Sequence, residues 1–144
     1  MAVRVKLRVR SEVNEIISPA LVNSGYESDV PELLLPERVA EMLEIYPGAR
    51  EAVVERYRVA GGSEIRLLRL KGAGEVEVVA EGRSSSPVMC DMVVSEGEDE
   101  LIISDKLASE LGIVIIDPPE GIWCFRDELG KVERKGDWQR RLSG

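Results

Sequence analysis

Val3, Val5, Leu7 and Val9 alternate with Arg4, Lys6, Arg8 and Arg10. A period of two puts one face of an extended chain in a core and the other in solvent, so a half-buried strand is predicted here. Residues 12–15 read as a polar turn. Residues 16–22 form a second apolar strand, in which Pro19 marks an edge or a bend because it cannot donate to a ladder. Asn23-Ser24-Gly25 then turns the chain, and Leu33-Leu34-Leu35 resumes it. Pro36 opens a predicted helix at the position where a missing N–H costs little. Leu35, Val39, Met42, Leu43 and Tyr46 share its apolar face, and Pro47-Gly48 ends it.

Beyond residue 50 the elements shorten. Val53, Glu55, Tyr57 and Val59 lead into Ala60-Gly61-Gly62-Ser63, and Ile65, Leu67, Leu68 and Leu70 lead away. This is a hairpin with a glycine tip, where positive φ is cheap; a short helix over 50–56 is the alternative. Gly72-Ala73-Gly74 separates the hairpin from a strand over 75–79, and another strand covers 88–94. Leu101-Ile102-Ile103 is a short apolar strand. Ser104 is placed to cap a helix over 105–111, with Asp105 at its positive end and Gly112 as its stop. Strands over 113–116 and 122–125 follow. Many short strands with glycine turns and two short helices predict a mainly β, closed barrel. One domain over 1–126 is expected, with a polar, mobile tail over 127–144 that could dock through Trp138.

The 144 residues suffice for one core, and 44% hydrophobic with 32% charged residues is the balance of a globular protein. No apolar run reaches the roughly 18 residues of a membrane helix. The first residues lack the apolar block of a signal peptide, so a cytoplasmic location is the expectation. A net charge of −8 disfavours nucleic acid as a partner. With no His, the usual neutral-pH proton shuttle and the commonest metal ligand are missing. No metal or organic cofactor is implied. Cys90 and Cys124 have no metal-type spacing and read as buried apolar residues. The four bases at 4, 6, 8 and 10 read as a solvated face, or as a patch for an acidic partner. Abundant Val, Glu and Arg with no His is a composition associated with heat-adapted sources.

Three features occur in a fixed order: Ala20-Leu21-Val22-Asn23-Ser24-Gly25 with its following apolar run, the hairpin around Gly61-Gly62, and Leu101-Ile102-Ile103-Ser104 leading into the 105–111 helix and Gly112-Ile113. Over about residues 3–126 this order resembles the retropepsin-like aspartic proteases, the retroviral enzymes and their single-domain bacterial and archaeal relatives. The resemblance implies an acid-protease barrel that works as a homodimer, each subunit giving one catalytic Asp to a cleft on the two-fold axis, with the hairpin as a flap over an extended peptide. Carried over, Asn23 stands at the catalytic position, Ser24 is the loop-locking hydroxyl, Gly25 permits the tight turn, and Gly61 and Gly62 form the flap tip. Glu27 would line the same cleft.

Position 23 governs the chemistry. Two carboxylates about 3 Å apart share a proton, so one takes a proton from water while the other donates to the peptide carbonyl. An amide has no titratable proton in this range. Losing general acid–base catalysis alone costs about 10²–10⁴ in rate. The family also commonly has Gly where this chain has Ser104, and often a basic or polar residue in place of Asp105; a side chain at 104 either crowds the packing beneath the loop or caps the helix. The leading expectation is therefore a dimer without ordinary peptidase activity that binds an extended peptide or protein segment. The alternatives are an active endopeptidase, with Asn23 engineered, deamidated or paired with an Asp-bearing partner, and an unrelated small β barrel for protein interaction in which Asn-Ser-Gly is an ordinary turn. Glu27 and Asp29 are nearby acids that could substitute for the missing carboxylate; the simpler reading makes them solvated loop acids.

Overall fold

The computed structural model describes residues 2–46, 53–58 and 64–136. The strands are β1 (Arg4–Arg10), β2 (Glu15–Val22), β3 (Glu32–Pro36), β4 (Val53–Arg58), β5 (Glu64–Ala80), β6 (Arg83–Ser84), β7 (Val88–Ser95), β8 (Leu101–Ile103), β9 (Ile113–Asp117), β10 (Ile122–Phe125) and β11 (Arg134–Lys135). Two α-helices, α1 (Glu37–Met42) and α2 (Asp105–Leu111), and a 3₁₀ turn over Arg126–Glu128 complete the described elements.

The fold is mainly β, and six strands close a barrel in the order β1-β2-β8-β3-β7-β5 and back to β1. The alternating pattern of β1 does what it predicts: Val3, Val5, Leu7 and Val9 are all buried. β1 runs antiparallel to β2, and β2 pairs in parallel with β8 only from Ala20 onward. Pro19 thus falls outside the second ladder, where its missing N–H costs nothing. β3 lies antiparallel to β8 and parallel to β7. β5 runs antiparallel to β7, and its residues 75–78 pair with Arg10 to Leu7, which closes the ring.

β5 is one strand of 17 residues where the sequence predicts two. Gly72-Ala73-Gly74 bends it instead of ending it. Gly72 takes φ +55°, and the register against β7 shifts between Leu70 and Gly74. The bend brings Gly74 onto β1, where an added Cβ would lie 2.1 Å from the Arg10 carbonyl oxygen and 2.8 Å from Met92 Cε. The outer half of β5 carries β4 as a hairpin, paired from Val53 opposite Arg69 to Arg58 opposite Glu64. Residues 53–58 are therefore strand, not helix.

Helix α1 ends at Met42, earlier than expected, and Met42 is exposed although the helical pattern placed it on the apolar face. The chain leaves the helix through Glu44 at φ 57°, which turns Leu43 and Ile45 into the core. Side chains of the β1–β2 turn take the freed carbonyls: Ser11 Oγ donates to Leu43 O at 2.6 Å and Asn14 Nδ2 to Met42 O at 2.6 Å.

The three arginines of β1 are ion-paired, while Lys6 is exposed. Arg4 meets Glu100 at 3.1 Å, and Arg8 and Arg10 both engage Glu15 and Glu77. Carboxylates of the chain itself therefore meet the arginines of this face.

β9, β10 and β11 form a second, three-stranded sheet. Residues 127–136, assigned by the sequence to a polar tail, are tied down. A 3₁₀ turn over Arg126–Glu128 places the Glu128 carboxylate to accept from Phe125 N at 3.0 Å and from Arg134 Nε and Nη2 at 2.9 and 2.7 Å. Gly136 N donates to Gly121 O at 2.7 Å. Trp138 lies outside the described residues.

Candidate functional site

The elbow at Asn23 is set by where β2 stops pairing. The β2–β8 ladder ends at Val22 opposite Ile103, and Asn23 N still donates to Ile103 O at 3.3 Å. The chain then folds on itself. Asn23 Oδ1 accepts the Gly25 N–H at 3.0 Å, and Asn23 O accepts the Tyr26 N–H at 3.0 Å. An Asn side chain that closes its own turn is the reason this residue type favours such positions. Asn23, Ser24, Gly25 and Glu27 are all exposed in the single chain, as is Asp29.

The elbow rests on the start of α2. Tyr26 O accepts from Asp105 N at 2.8 Å, and Asp105 Oδ1 accepts from Ser28 N at 3.1 Å and Lys106 N at 2.6 Å. Ser104 is fully buried. Its hydroxyl accepts from Leu107 N, as a helix N-cap, and from Glu32 N, both at 3.2 Å. Its own N–H donates to Glu32 O at 3.1 Å. Of the two outcomes open to a side chain at 104, capping is the one realised, and Gly112 at φ +78° closes the other end of the helix.

Beneath the loop lies a group of charged residues that sequence reasoning missed. The Tyr26 hydroxyl donates to Glu32 Oε1 at 3.0 Å. The same oxygen lies 3.2 Å from Arg69 Nη1, which in turn lies 3.4 Å from Asp91 Oδ2. Asp91 Oδ1 accepts from Gly72 N at 2.9 Å. Glu32 is 6% exposed. The one available signal was a charged residue heading the apolar run Leu33-Leu34-Leu35. Arg69 and, beyond it, Asp91 come from β5 and β7, 37 and 59 positions from Glu32 (69 − 32 and 91 − 32), and no local pattern points that far.

These contacts commit the acids nearest the elbow. Glu32 faces Tyr26 and Arg69, and Asp105 faces loop amides, which leaves the exposed Glu27 and Asp29 as the other loop carboxylates. The Asn23 amide offers hydrogen bonds but no proton to transfer. Gly61 and Gly62 fall between the arms of the β4–β5 hairpin, outside the described residues. A hole of about 40 Å³ opens beside those arms, lined by Tyr46, Val54, Leu67, Leu68 and Val94 with Glu37 and Glu96 at its edge. A larger groove of about 740 Å³ runs between β1 and residues 132–136. Neither of these two is lined by residues 23–29.

Cys90 and Cys124 are buried and free. Burial, with the Asp91 charge adding to it, pushes the Cys90 thiol up to about 12. Among the described residues no cluster of three His, Cys, Asp or Glu side chains is placed to hold a metal ion, and no helix is long and apolar enough to cross a membrane. No protein-family model matches this chain, and no curated protein matches it.

Proposed function

We propose that this chain is a retropepsin-like domain that pairs with a second copy, lacks ordinary aspartic peptidase activity, and binds an extended peptide or protein segment between the Asn23 elbow and the β4–β5 hairpin. The observation that carries the reading is the Asn23-Ser24-Gly25 elbow itself. It is held at the end of β2 by β8 and by the cap of α2, within a closed barrel whose hairpin arm meets the loop through Arg69, Glu32 and Tyr26. An exposed elbow is what half of a two-fold cleft requires before its partner arrives. Peptide affinity in such a cleft comes from β-type backbone pairing and needs no carboxylate. An obligate pair would bury roughly 2,000 Å² or more.

A second reading has its own support. The Asn23 Oδ1 bond to Gly25 N makes the segment a self-sufficient Asx-turn. On that reading the chain is a small β barrel for protein interaction, and the elbow is only a turn.

Three measurements separate the readings. Sedimentation gives the copy number, and a monomer at all concentrations ends the two-fold reading. Cross-linking through Asn23→Cys then asks whether the elbows meet. The Asn23→Asp variant, assayed on denatured casein at acid pH, is expected to gain pepstatin-sensitive cleavage that the Asn23 protein lacks. Cleavage by the intact Asn23 protein, with the amide verified by mass spectrometry, would restore the active-enzyme alternative.

A further inference from the structure

The charged residues beneath the elbow connect two parts of the fold that the proposed cleft uses together. Tyr26 belongs to the loop, three residues after Asn23. Glu32 heads β3. Arg69 belongs to the hairpin arm, opposite Val53 of β4 and Val93 of β7. The loop is thus joined to the hairpin arm through one carboxylate oxygen, at 3.0 Å on one side and 3.2 Å on the other. The arrangement continues to Asp91 and the Gly72 N–H, at the bend where β5 turns toward β1.

These groups are poorly solvated, their side chains alone being 8% exposed for Glu32, 16% for Arg69 and 17% for Asp91. A charge so placed tracks its partner, because separation leaves it buried and uncompensated. Movement of the arm by an ångström or two therefore pulls on Glu32, and Glu32 pulls on the Tyr26 hydroxyl. Tyr26 in turn is bonded through its N–H to Asn23 O and through its carbonyl to Asp105 N.

We propose that Tyr26, Glu32 and Arg69 act as a relay that couples the conformation of the Asn23 elbow to that of the β4–β5 hairpin. Glu32 is the positioning residue at its centre. Its use in gripping a peptide rests on the cleft reading above. Binding against the hairpin would then stiffen the elbow, and by thermodynamic reciprocity contacts at the elbow would stiffen the hairpin base.

Amide hydrogen exchange in the ligand-free protein tests the coupling. In Arg69→Met the Ser28 and Asp105 amides, which Arg69 does not touch, are expected to exchange at least threefold faster relative to Leu7 and Val9 of β1. In Tyr26→Phe, which removes a single hydroxyl, the Gly72 amide is expected to accelerate by a similar factor. Because both act through Glu32, the double variant should exchange no faster than the more affected single variant. The relay is overturned if the distant amides keep their rates, if β1 amides accelerate equally, or if the two effects multiply. The exchange experiment contains no peptide, so a failure of peptide binding would count against the cleft and not against the coupling.

Discussion

The buried Ser104 hydroxyl accepts the backbone N–H of Glu32 at 3.2 Å, across 72 positions of sequence. The same oxygen caps α2 through Leu107 N. One side chain therefore holds the start of β3 and the start of a helix, and the elbow lies on both. Ser104→Ala is expected to lose about 1–3 kcal/mol, the combined effect of a cap and an unsatisfied buried N–H. Urea denaturation should show a lower midpoint with an unchanged slope. A midpoint equal to that of the parent would mean that water replaces the hydroxyl.

Asn23→Asp keeps the acceptor that closes the turn on Gly25 N. Since the position is exposed, stability at neutral pH should move by no more than about 0.5 kcal/mol. Thermal melts of the two proteins check this. Near-identical melting would assign any gain of cleavage to proton chemistry and not to refolding of the loop.

Glu128 gives the fold a dependence on acid. The Arg134 hydrogen bonds, with help from the Phe125 N–H and the Arg83 charge, hold its carboxyl down at about 2 against the opposing effect of desolvation, where the ordinary value is 4.5. A group with a lowered native value binds protons more readily in the unfolded chain. Its stabilisation is complete above about pH 4.5 and is lost as pH falls from there toward 2. Glu128→Gln should flatten the stability profile over this window and cost on the order of 2 kcal/mol at pH 7. An unaltered profile, followed by denaturation at several pH values, would show that other carboxyls govern the acid limb.

Two glycines of β5 should respond differently to alanine. At Gly74 the new Cβ would sit 2.1 Å from a backbone oxygen of Arg10, so β1 and β5 must separate, at about 2–3 kcal/mol or more. At Gly72 nothing lies within 4 Å, and the cost is the positive φ alone, about 1 kcal/mol. Melting temperatures of the two variants test the ranking.

The thiols should be silent in the folded protein. Cys90 and Cys124 are 3% and 0% exposed, and burial pushes both thiols above their usual range. A thiol reagent at pH 8 is expected to modify neither until denaturant is added, when both react. Fast labelling of either one in native buffer would indicate local opening of β7 or β10.

Much of the secondary structure was readable because its causes are local. The alternation of β1, the Ser104 cap and the Gly112 stop act within a few residues, and each is found where the pattern put it. The hairpin arms were legible for the same reason. Length was harder. β5 absorbs Gly72-Ala73-Gly74 because a bulge costs less than breaking two ladders, and α1 gives up its last turn because Ser11 and Asn14 offer its carbonyls better partners. For the elbow, the sequence identified Asn23, Ser24 and Gly25. It passed over Tyr26, Glu32, Arg69 and Asp91, whose meeting depends on strands that are distant in the chain.

By itself the order of residues determined which segments extend, which coil, which faces are apolar, and that the elbow carries at position 23 an amide with no proton to transfer. Only the tertiary structure decided that Glu75 to Val78 would return to Leu7 to Arg10 and close the barrel, that the β1 arginines would find carboxylates within the chain, and that Glu32 would stand between Tyr26 and Arg69. Periodicity and capping are short-range effects encoded in neighbouring side chains. Which charges meet is fixed by register between strands some 65 residues apart, and register follows from burying all the apolar faces at once.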